Sequence, residues 1–246
     1  MITQHYQQIR FDESGCSVRS LESQEDRFQS YRLRHKVFCE QLRWVPVNTP
    51  QLEIDRYDQV AVPLGVFSDT GVLVGFVRFL PSHHQFMLES EFAGLVAPGY
   101  QIRKAPDTVE ISRLAVAPDA PGTGRSRTHF SILLKGLYQW SINNSVRYAY
   151  MEVEKRFFRV LHALGFPCVP IGPFTALPPA GAESVAAILD WTLFRTQNAT
   201  KRPAFLAWMS TTESARDAAP APWPGPASRP AVSREYSGRE ISQYVH

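Results

Sequence analysis

Arg34 and Phe38 stand four residues apart, so on a helix they share a face, and Trp44 follows shortly after them. The next polar cluster is Glu53-Ile54-Asp55-Arg56-Tyr57-Asp58, which sets three carboxylates close together just before an apolar run. On a loop such a cluster binds a cation, caps a helix, or holds an amino or sulfonium group. A solvated acidic loop neutralised by Arg56 has the same composition. The spacing is not that of an EF-hand, and no histidine is near enough in sequence to suggest a transition-metal site. Arg78 sits at the end of the apolar stretch VLVGFVRFLP, where an unpaired charge is costly. A nearby Asp or Glu is its expected partner; an arginine facing solvent from an edge strand is the alternative.

Glu110-Ile111-Ser112-Arg113 adds an acid and a base within one apolar segment. Strand alternation puts Glu110 and Ser112 on one face and Ile111 and Arg113 on the other. Such a strand suggests a lined cleft with Glu110 as a candidate general base, acting directly or through water. Structural ion pairing fits the spacing equally well. Gly122-Thr123-Gly124-Arg125-Ser126-Arg127 precedes an apolar helical segment and offers free N–H groups and positive charge to a phosphate. It lacks the P-loop pattern of a nucleotide-binding lysine. Lys155, Arg156 and Arg159 form a small basic patch that reads either as a solvated helix face or as a landing site for an acidic partner. His83 and His84, in a turn, read as bystanders. Cys16, Cys39 and Cys168 are too few and too widely spaced for a disulfide framework or a zinc site and read as packing residues.

These clusters must be positioned by a globular chain. Of its 246 residues 44% are hydrophobic and 20% charged, which excludes disorder across the whole length. The 19 prolines and 14 glycines, scattered throughout, exclude a coiled coil. A net charge of +3 is too balanced for a dedicated nucleic-acid binder. There is no apolar run long enough to span a membrane and no secretory signal pattern, so a cytoplasmic location is expected.

Apolar periodicity predicts a helix over 21–42, ended by Trp44-Val45-Pro46. A hairpin of strands at 60–67 and 72–80 follows, joined by Ser68-Asp69-Thr70-Gly71. A short helix is expected over 86–96, a strand at 109–117, a helix at 130–142, a strand at 147–153 and a helix at 154–164 ending at Gly165. The chain then reads as a strand at 166–171, an amphipathic helix at 183–194 and a last strand at 204–209. Antiparallel strands first and β-α-β alternation later imply an α/β (α+β) fold with a mixed central sheet and helices on both faces. Residues 1–18 read as a loosely ordered N-terminus, 19–210 as the catalytic domain, and 211–246 as a Pro/Ala/Ser-rich disordered tail that includes Pro220, Pro222, Pro224, Pro226 and Pro230.

Taken in order, YRLRHKVFCEQLRW (31–44), LEIDRYD (52–58), GFVRFLPS (75–82), FMLESEF (86–92) and VEISRLAV (109–116) resemble the acyl-homoserine-lactone synthases, the autoinducer synthases of bacterial quorum sensing. The family pattern is an R-x-x-x-F…W helix, an E-x-D-x-x-D loop, an arginine at a strand end, an aromatic, and E-x-S-R. The resemblance covers roughly residues 25–175. It implies the acyl-CoA N-acyltransferase-like fold, whose splayed central sheet admits a pantetheine arm.

The resemblance further implies that Arg34, Phe38, Trp44, Asp55, Asp58, Arg78, Phe92 and Met151 bind substrate and that Glu110, Ser112 and Arg113 are catalytic. The aromatics and the acidic loop would shape the pocket for S-adenosylmethionine, whose sulfonium is attracted by aromatic faces. Glu110 would help remove the amine proton, and backbone amides near Arg113 would stabilise the oxyanion. The donor would be an acyl-carrier protein, docked on Lys155, Arg156 and Arg159, or acyl-CoA. No cofactor or metal is implied beyond these substrates, and neither nucleic acid nor a membrane span is expected. Met151 stands where some synthases that use 3-oxo chains carry threonine, and it implies an unsubstituted acyl chain. AYMEVEKRFFRVLHALGFPCVPIGPF (149–174) and PAFLAWM (203–209) also resemble a sister group, the exosortase-associated acyltransferases and N-acyl amino acid synthases, whose acceptor is an amino acid.

Overall fold

The computed structural model describes residues 5–119 and 124–212. The chain opens with a hairpin of β1 (Arg10–Glu13) and β2 (Cys16–Ser20) where loose order was expected. Ser14 and Gly15 both take positive φ (52° and 76°), as the tight two-residue turn requires. Phe11, Glu13, Cys16, Val18 and Ser20 point inward. An inward glutamate is what hides this alternation in the sequence.

Helix α1 (Gln24–Arg34) begins where the Ser23 side chain accepts from the Asp26 N–H, and its widened π-type continuation runs over His35–Gln41. Strands β3 (Val62–Phe67) and β4 (Leu73–Pro81) form the expected hairpin. The helix expected over 86–96 is instead two short 3-10 turns, Met87–Glu89 and Ala93–Leu95. Then come β5 (Thr108–Val116), α2 (Arg125–Asn143), β6 (Tyr148–Glu154) and α3 (Lys155–Leu164). Gly165, at φ 98°, supplies the left-handed residue that stops α3.

Strand β7 is only Val169–Pro170, and β8 is Thr175–Leu177. The segment expected as an amphipathic helix is divided. Ala182–Asp190 is strand β9, and helix α4 (Trp191–Lys201) starts after it, with Asp190 as its cap. The stretch expected as a last strand is helix α5 (Pro203–Ser210), with proline in its first turn. The first of these reversals has a clear cause. β9 is an inner strand with Val185, Ala186, Ala187 and Leu189 all buried, so its sequence is a continuous apolar run without alternation. Tertiary burial overrides the helix preference of its alanines.

Among the described residues the sheet runs β1-β2-β3-β4-β5-β6-β9-β7, with β8 also on β9. Every pairing is antiparallel except β5–β6. That parallel ladder covers only Thr108↔Tyr148 to Ile111↔Met151. Beyond it β5 stays on β4 as far as Val116 and β6 stays on β9 as far as Glu154. The sheet therefore forks between β5 and β6.

The main core packs α2, α3, α4 and α5 on the sheet face that carries Val77, Phe79, Ile111 and Met151. The other face carries two smaller clusters, one around Phe38 and Phe76 and one around Leu80, Phe86 and Tyr150. Lys135 of α2 crosses the main core to pair with Glu13 of β1, both fully buried. The Trp208 indole N–H of α5 donates to the same carboxylate at 3.2 Å, and the Lys135 ammonium lies 4.9 Å from the Trp208 ring centre. The hairpin, the central helix and the last helix thus share one buried charge pair. Lys135→Met leaves Glu13 charged without its ammonium, and we expect it to lower unfolding free energy by about 3–5 kcal/mol. Urea titration should read this, with Glu13→Gln combined with Lys135→Met recovering most of the loss.

Candidate active site

Three elements converge at the fork. Arg34 ends α1, and the π-type turn after it keeps Phe38 on the sheet side. The Phe38 carbonyl accepts from the Trp44 and Val45 amides at 2.9 and 3.2 Å. This closes the helix and folds Trp44 onto Phe38, with ring centres 6.2 Å apart and planes 21° from parallel. The acidic loop is pinned to α1 by the Glu53 amide, which donates to the Tyr31 carbonyl at 3.1 Å. Asp55 then caps the 3-10 turn Arg56–Gln59 by accepting from the Tyr57 amide, while Asp58 accepts from the Asp55 amide at 2.8 Å. This reciprocal capping box fixes where both carboxylates point.

Opposite them stand Arg78 of β4 and Arg113 of β5. The register between these strands shifts between Phe76 and Arg78, and Arg113 takes φ 55°. A β-bulge in β5 thus inserts one residue and turns Arg113 onto the face of Glu110 and Ser112. Regular alternation had placed it on the far side; the bulge corrects that expectation. A non-glycine residue in the left-handed region is held there by its surroundings at a cost of about 1–3 kcal/mol, and here the surroundings are ionic.

The three guanidiniums and three carboxylates form one network. Arg34 donates to Glu53 through Nε and to Asp58 at 2.6 Å. Arg78 grips Asp55 with both terminal nitrogens, at 2.6 and 2.9 Å, reaches Asp58 at 2.9 Å, and donates through Nε to the Ser112 hydroxyl at 2.9 Å. Arg113 donates to Glu53 at 3.0 Å and lies 3.0 Å from Asp55. The formal charges cancel, and the Arg34 and Arg78 side chains are fully buried while Asp55 is 20% exposed. Burial alone would push the Asp55 carboxyl up. The hydrogen bonds from Arg78 and the charges of Arg78, Arg113 and Arg34 outweigh it and hold Asp55 at about 2. Arg113 also lies 5.6 Å from the centre of the Phe38 ring, which joins the aromatic pair to the network.

Glu110 is buried beside this network. Its carboxylate accepts from the Met87 amide at 2.6 Å and the Leu88 amide at 3.0 Å, so both oxygens hold the 86–92 segment against β5. Burial pushes its pKa up to about 8, against the pull of those two amides and of Arg78. Phe92 is half-buried against the Tyr57–Leu80–Tyr150 cluster beside the network. Met151 faces the main core, on the opposite side of the sheet.

A cavity of about 600 Å³ opens next to the fork, between Trp44 on one side and Glu154, Lys155, Arg156, Arg159 and Glu183 on the other. Lys155 pairs with Glu183 at 2.7 Å, whereas Arg156 and Arg159 are exposed and in no salt bridge among the described residues. The structure therefore brings together Arg34, Phe38, Trp44, Asp55, Asp58, Arg78, Ser112 and Arg113, keeps Glu110 adjacent, and sets the basic patch at the cavity. Glu53, outside the set implied by the resemblance, bridges Arg34 and Arg113 at 3% exposure. Its sequence signals were its place in the acidic run and as the first position of the E-x-D-x-x-D pattern. The glycine-rich loop lies partly outside the described residues, as does nearly all of the proline-rich tail. No group of three or more His, Cys, Asp or Glu among the described residues is arranged to hold a metal ion.

A sequence profile describing the autoinducer synthases matches residues 19–190, which takes in every element of this network. The chain belongs to the autoinducer synthase family. An acyl-homoserine-lactone synthase of Vibrio anguillarum is 31% identical over 155 residues, covering 61% of this chain and 78% of that relative. In fold the chain is similar to the CoA-dependent acyl-homoserine lactone synthase BjaI, solved with SAM and isopentyl-CoA, at a TM-score of 0.60 and 24% identity over 72% of this chain and 82% of that one. It is also similar in fold to FeeM, an N-acyl amino acid synthase from uncultured soil microbes, at a TM-score of 0.53 and 17% identity over 74% of this chain and 93% of that one. At these identities both structures speak to the fold, and the sequence matches distinguish the lactone-synthase family from its sister group.

The Asp55 pKa predicts how acid acts on this site. Its folded value, about 2, lies below its ordinary unfolded value of about 3.9. The stability it contributes is therefore present above about pH 4 and is lost as pH falls toward 2. The urea midpoint of the wild type should fall across that window, and Asp55→Asn should flatten that part of the fall. An unchanged slope in the variant would show that Asp55 is not the titrating group.

Proposed function

We propose that the protein is an acyl-homoserine-lactone synthase: it transfers a fatty acyl group from a carrier thioester to the amine of S-adenosylmethionine and then closes the lactone. The observation that carries this reading is the buried network of Arg34, Arg78 and Arg113 with Glu53, Asp55 and Asp58, built from the motifs that match the family and set beside a forked sheet. Asp55, the most exposed carboxylate of the network, offers negative charge to a cationic substrate. The Phe38–Trp44 pair offers π faces to a sulfonium.

Each side chain has a part in this reading. Arg34, Asp55, Asp58 and Arg78 form the rigid wall of the S-adenosylmethionine pocket, with Phe38 and Trp44 over the sulfonium. Ser112 holds Arg78, and the bulge at Arg113 exposes backbone N–H groups to the thioester oxygen as it becomes an oxyanion. Glu110 keeps the 86–92 segment, including Phe92, against the site. The thioester arm enters the fork where β5 and β6 separate, and the acyl chain runs toward the main core beside Met151. Methionine offers no hydrogen bond to a 3-oxo group, which fits an unsubstituted chain. The amine attacks the thioester carbon, a C–N bond forms, the C–S bond breaks, and the carrier leaves as its thiol. The substrate carboxylate then attacks the carbon next to the sulfonium, closing the lactone as methylthioadenosine departs. Arg156 and Arg159, in no salt bridge among the described residues and beside the cavity, receive the acidic face of an acyl-carrier protein or the phosphates of CoA.

No helix among the described residues is long and apolar enough to cross a membrane, in keeping with an enzyme that works on carrier-bound acyl groups in the cytoplasm. The amino acid acceptor of the sister group is not favoured by the family match.

Purified protein given S-adenosylmethionine and a panel of acyl thioesters should yield an N-acyl lactone and methylthioadenosine by mass spectrometry. N-acyl amino acids without methylthioadenosine would move the chain to the sister activity. Reversing the patch charge with Arg156→Glu and Arg159→Glu should raise KM for the acyl-carrier or CoA thioester about tenfold or more. It should leave the KM for S-adenosylmethionine within about twofold, as expected for a contact remote from the acceptor pocket.

A further inference from the structure

Glu152 is an acid that the network leaves unused. Alternation along β6 puts Tyr150, Glu152 and Glu154 on the face that carries the network, and Met151 and Val153 in the main core. The last rung between β5 and β6 is Ile111↔Met151, so Glu152 is the first residue of β6 inside the fork. It is 2% exposed, and among the described residues neither of its carboxylate oxygens has a hydrogen-bond partner. The acids of β5 and β6 that share this face with it are committed to backbone amides. Glu110 holds Met87 and Leu88, and Glu154 caps α3 by accepting from Arg156 and Phe157 at 3.0 and 3.3 Å. The cavity beside the fork begins at Glu154, two residues further along the same face. A buried carboxyl with no partner is costly and calls for an explanation.

We propose that Glu152 is the catalytic residue that accepts the proton from the acceptor's ammonium group. This rests on the acyl-transfer reading above. An α-amine arrives from water largely as –NH3⁺ and attacks only as –NH2. In the fork, one ammonium proton passes to the Glu152 carboxylate, which becomes a neutral carboxylic acid. The freed lone pair forms the C–N bond, the thioester oxygen takes the negative charge, and the tetrahedral centre collapses with loss of the C–S bond. The nitrogen's surplus proton leaves on the thiolate, giving the carrier thiol and a neutral amide, and Glu152 returns its proton to water.

The charged and polar groups that face Glu152 are Arg113 from β5, Ser184 from β9 and Glu154 on its own strand. Burial pushes the Glu152 carboxyl up to about 7, with Ser184 and Arg113 drawing it down and Glu154 pushing it further up. Ser184 is near enough to favour the charged form but is not at hydrogen-bonding geometry. A proton acceptor poised near neutrality suits the task. Because the folded pKa is raised, Glu152 is already protonated at low pH, and turnover falls as pH drops below about 7.

The test measures thiol release and product identity with the full chain, comparing wild type with Glu152→Gln, Glu152→Asp and Glu110→Gln. At pH 7 Glu152→Gln should lose about 100-fold or more in kcat/KM. The loss should shrink to less than about tenfold near pH 9.5, where the substrate amine is free without help. Glu152→Asp keeps a carboxyl and should retain the acid limb at reduced turnover, which also covers the case of a poorly folded glutamine variant. Glu110→Gln should keep the acid limb too. The proposal is overturned by a Glu152→Gln activity within threefold of wild type at pH 7, by a loss of equal size at both pH values, or by an acid limb that persists in Glu152→Gln or vanishes in Glu152→Asp. Any amine acceptor must lose the same proton, so the comparison runs on whichever amine the wild type acylates. The identity of the product judges the lactone-synthase reading separately.

Discussion

Three guanidiniums facing three carboxylates in a nearly dry pocket set the terms for everything around them. Each charge is tolerable there because the other five are present. Arg34 and Arg78 are fully buried, so their forks must be filled by oxygen from the acidic loop. The loop in turn is held by a capping box and by one amide donated to α1. The network explains the bulge at Arg113 as well. A regular β5 would send that side chain to the main-core face, away from Glu53 and Asp55. A residue in the left-handed region costs less than a guanidinium buried without its carboxylates.

The same arrangement separates two kinds of acid on one sheet face. Glu53, Asp55 and Asp58 are neutralised by arginines and stay ionised, and Asp55 sits far below its ordinary range. Glu110 and Glu152, a strand or two away, are buried with little or no counter-charge and are pushed up. The proposed reaction, which draws in a cation and takes up a proton, would use both kinds. The distinction is made by distance from the guanidiniums, since the carboxyl groups are chemically alike. Glu110 and Glu152 then differ in hydrogen bonding. Two backbone amides occupy Glu110, while Glu152 stands just past the last rung that β5 and β6 share, with no hydrogen-bond partner among the described residues.

Much of this was legible in the sequence because ionic and capping chemistry is local in its signature. Arg78 in an apolar strand implied an acidic partner, and Glu53-Ile54-Asp55-Arg56-Tyr57-Asp58 supplied it. The strand pair at 62–67 and 73–81 and the glycine stop of α3 followed from turn chemistry that needs no tertiary context. What was not legible depends on contacts distant in sequence. β9 reads as a helix because an inner strand buried on both faces has no alternation to show. The β1–β2 hairpin is masked by Glu13, whose inward position makes sense only with Lys135, 122 residues away. The bulge at Arg113 leaves no mark in Glu110-Ile111-Ser112-Arg113, since it arises from the strand register and the acids beyond it.

The fork between β5 and β6 joins these observations into one device. Past the last shared rung β4 and β9 still pair the outer edges of β5 and β6. The backbone groups of both strands that point into the fork no longer face a partner strand, so the opening is lined with main-chain donors and acceptors. Its walls are unequal. The β5 wall carries Ser112 and the bulged Arg113, both tied into the ionic network. The β6 wall carries Glu152, whose carboxylate makes no hydrogen bond among the described residues, and Glu154 capping a helix whose first turns present Arg156 and Arg159 outward. On the proposed acyl transfer, the β5 wall would face the developing negative charge, and the β6 wall would set the proposed proton acceptor inside and the basic rim outside.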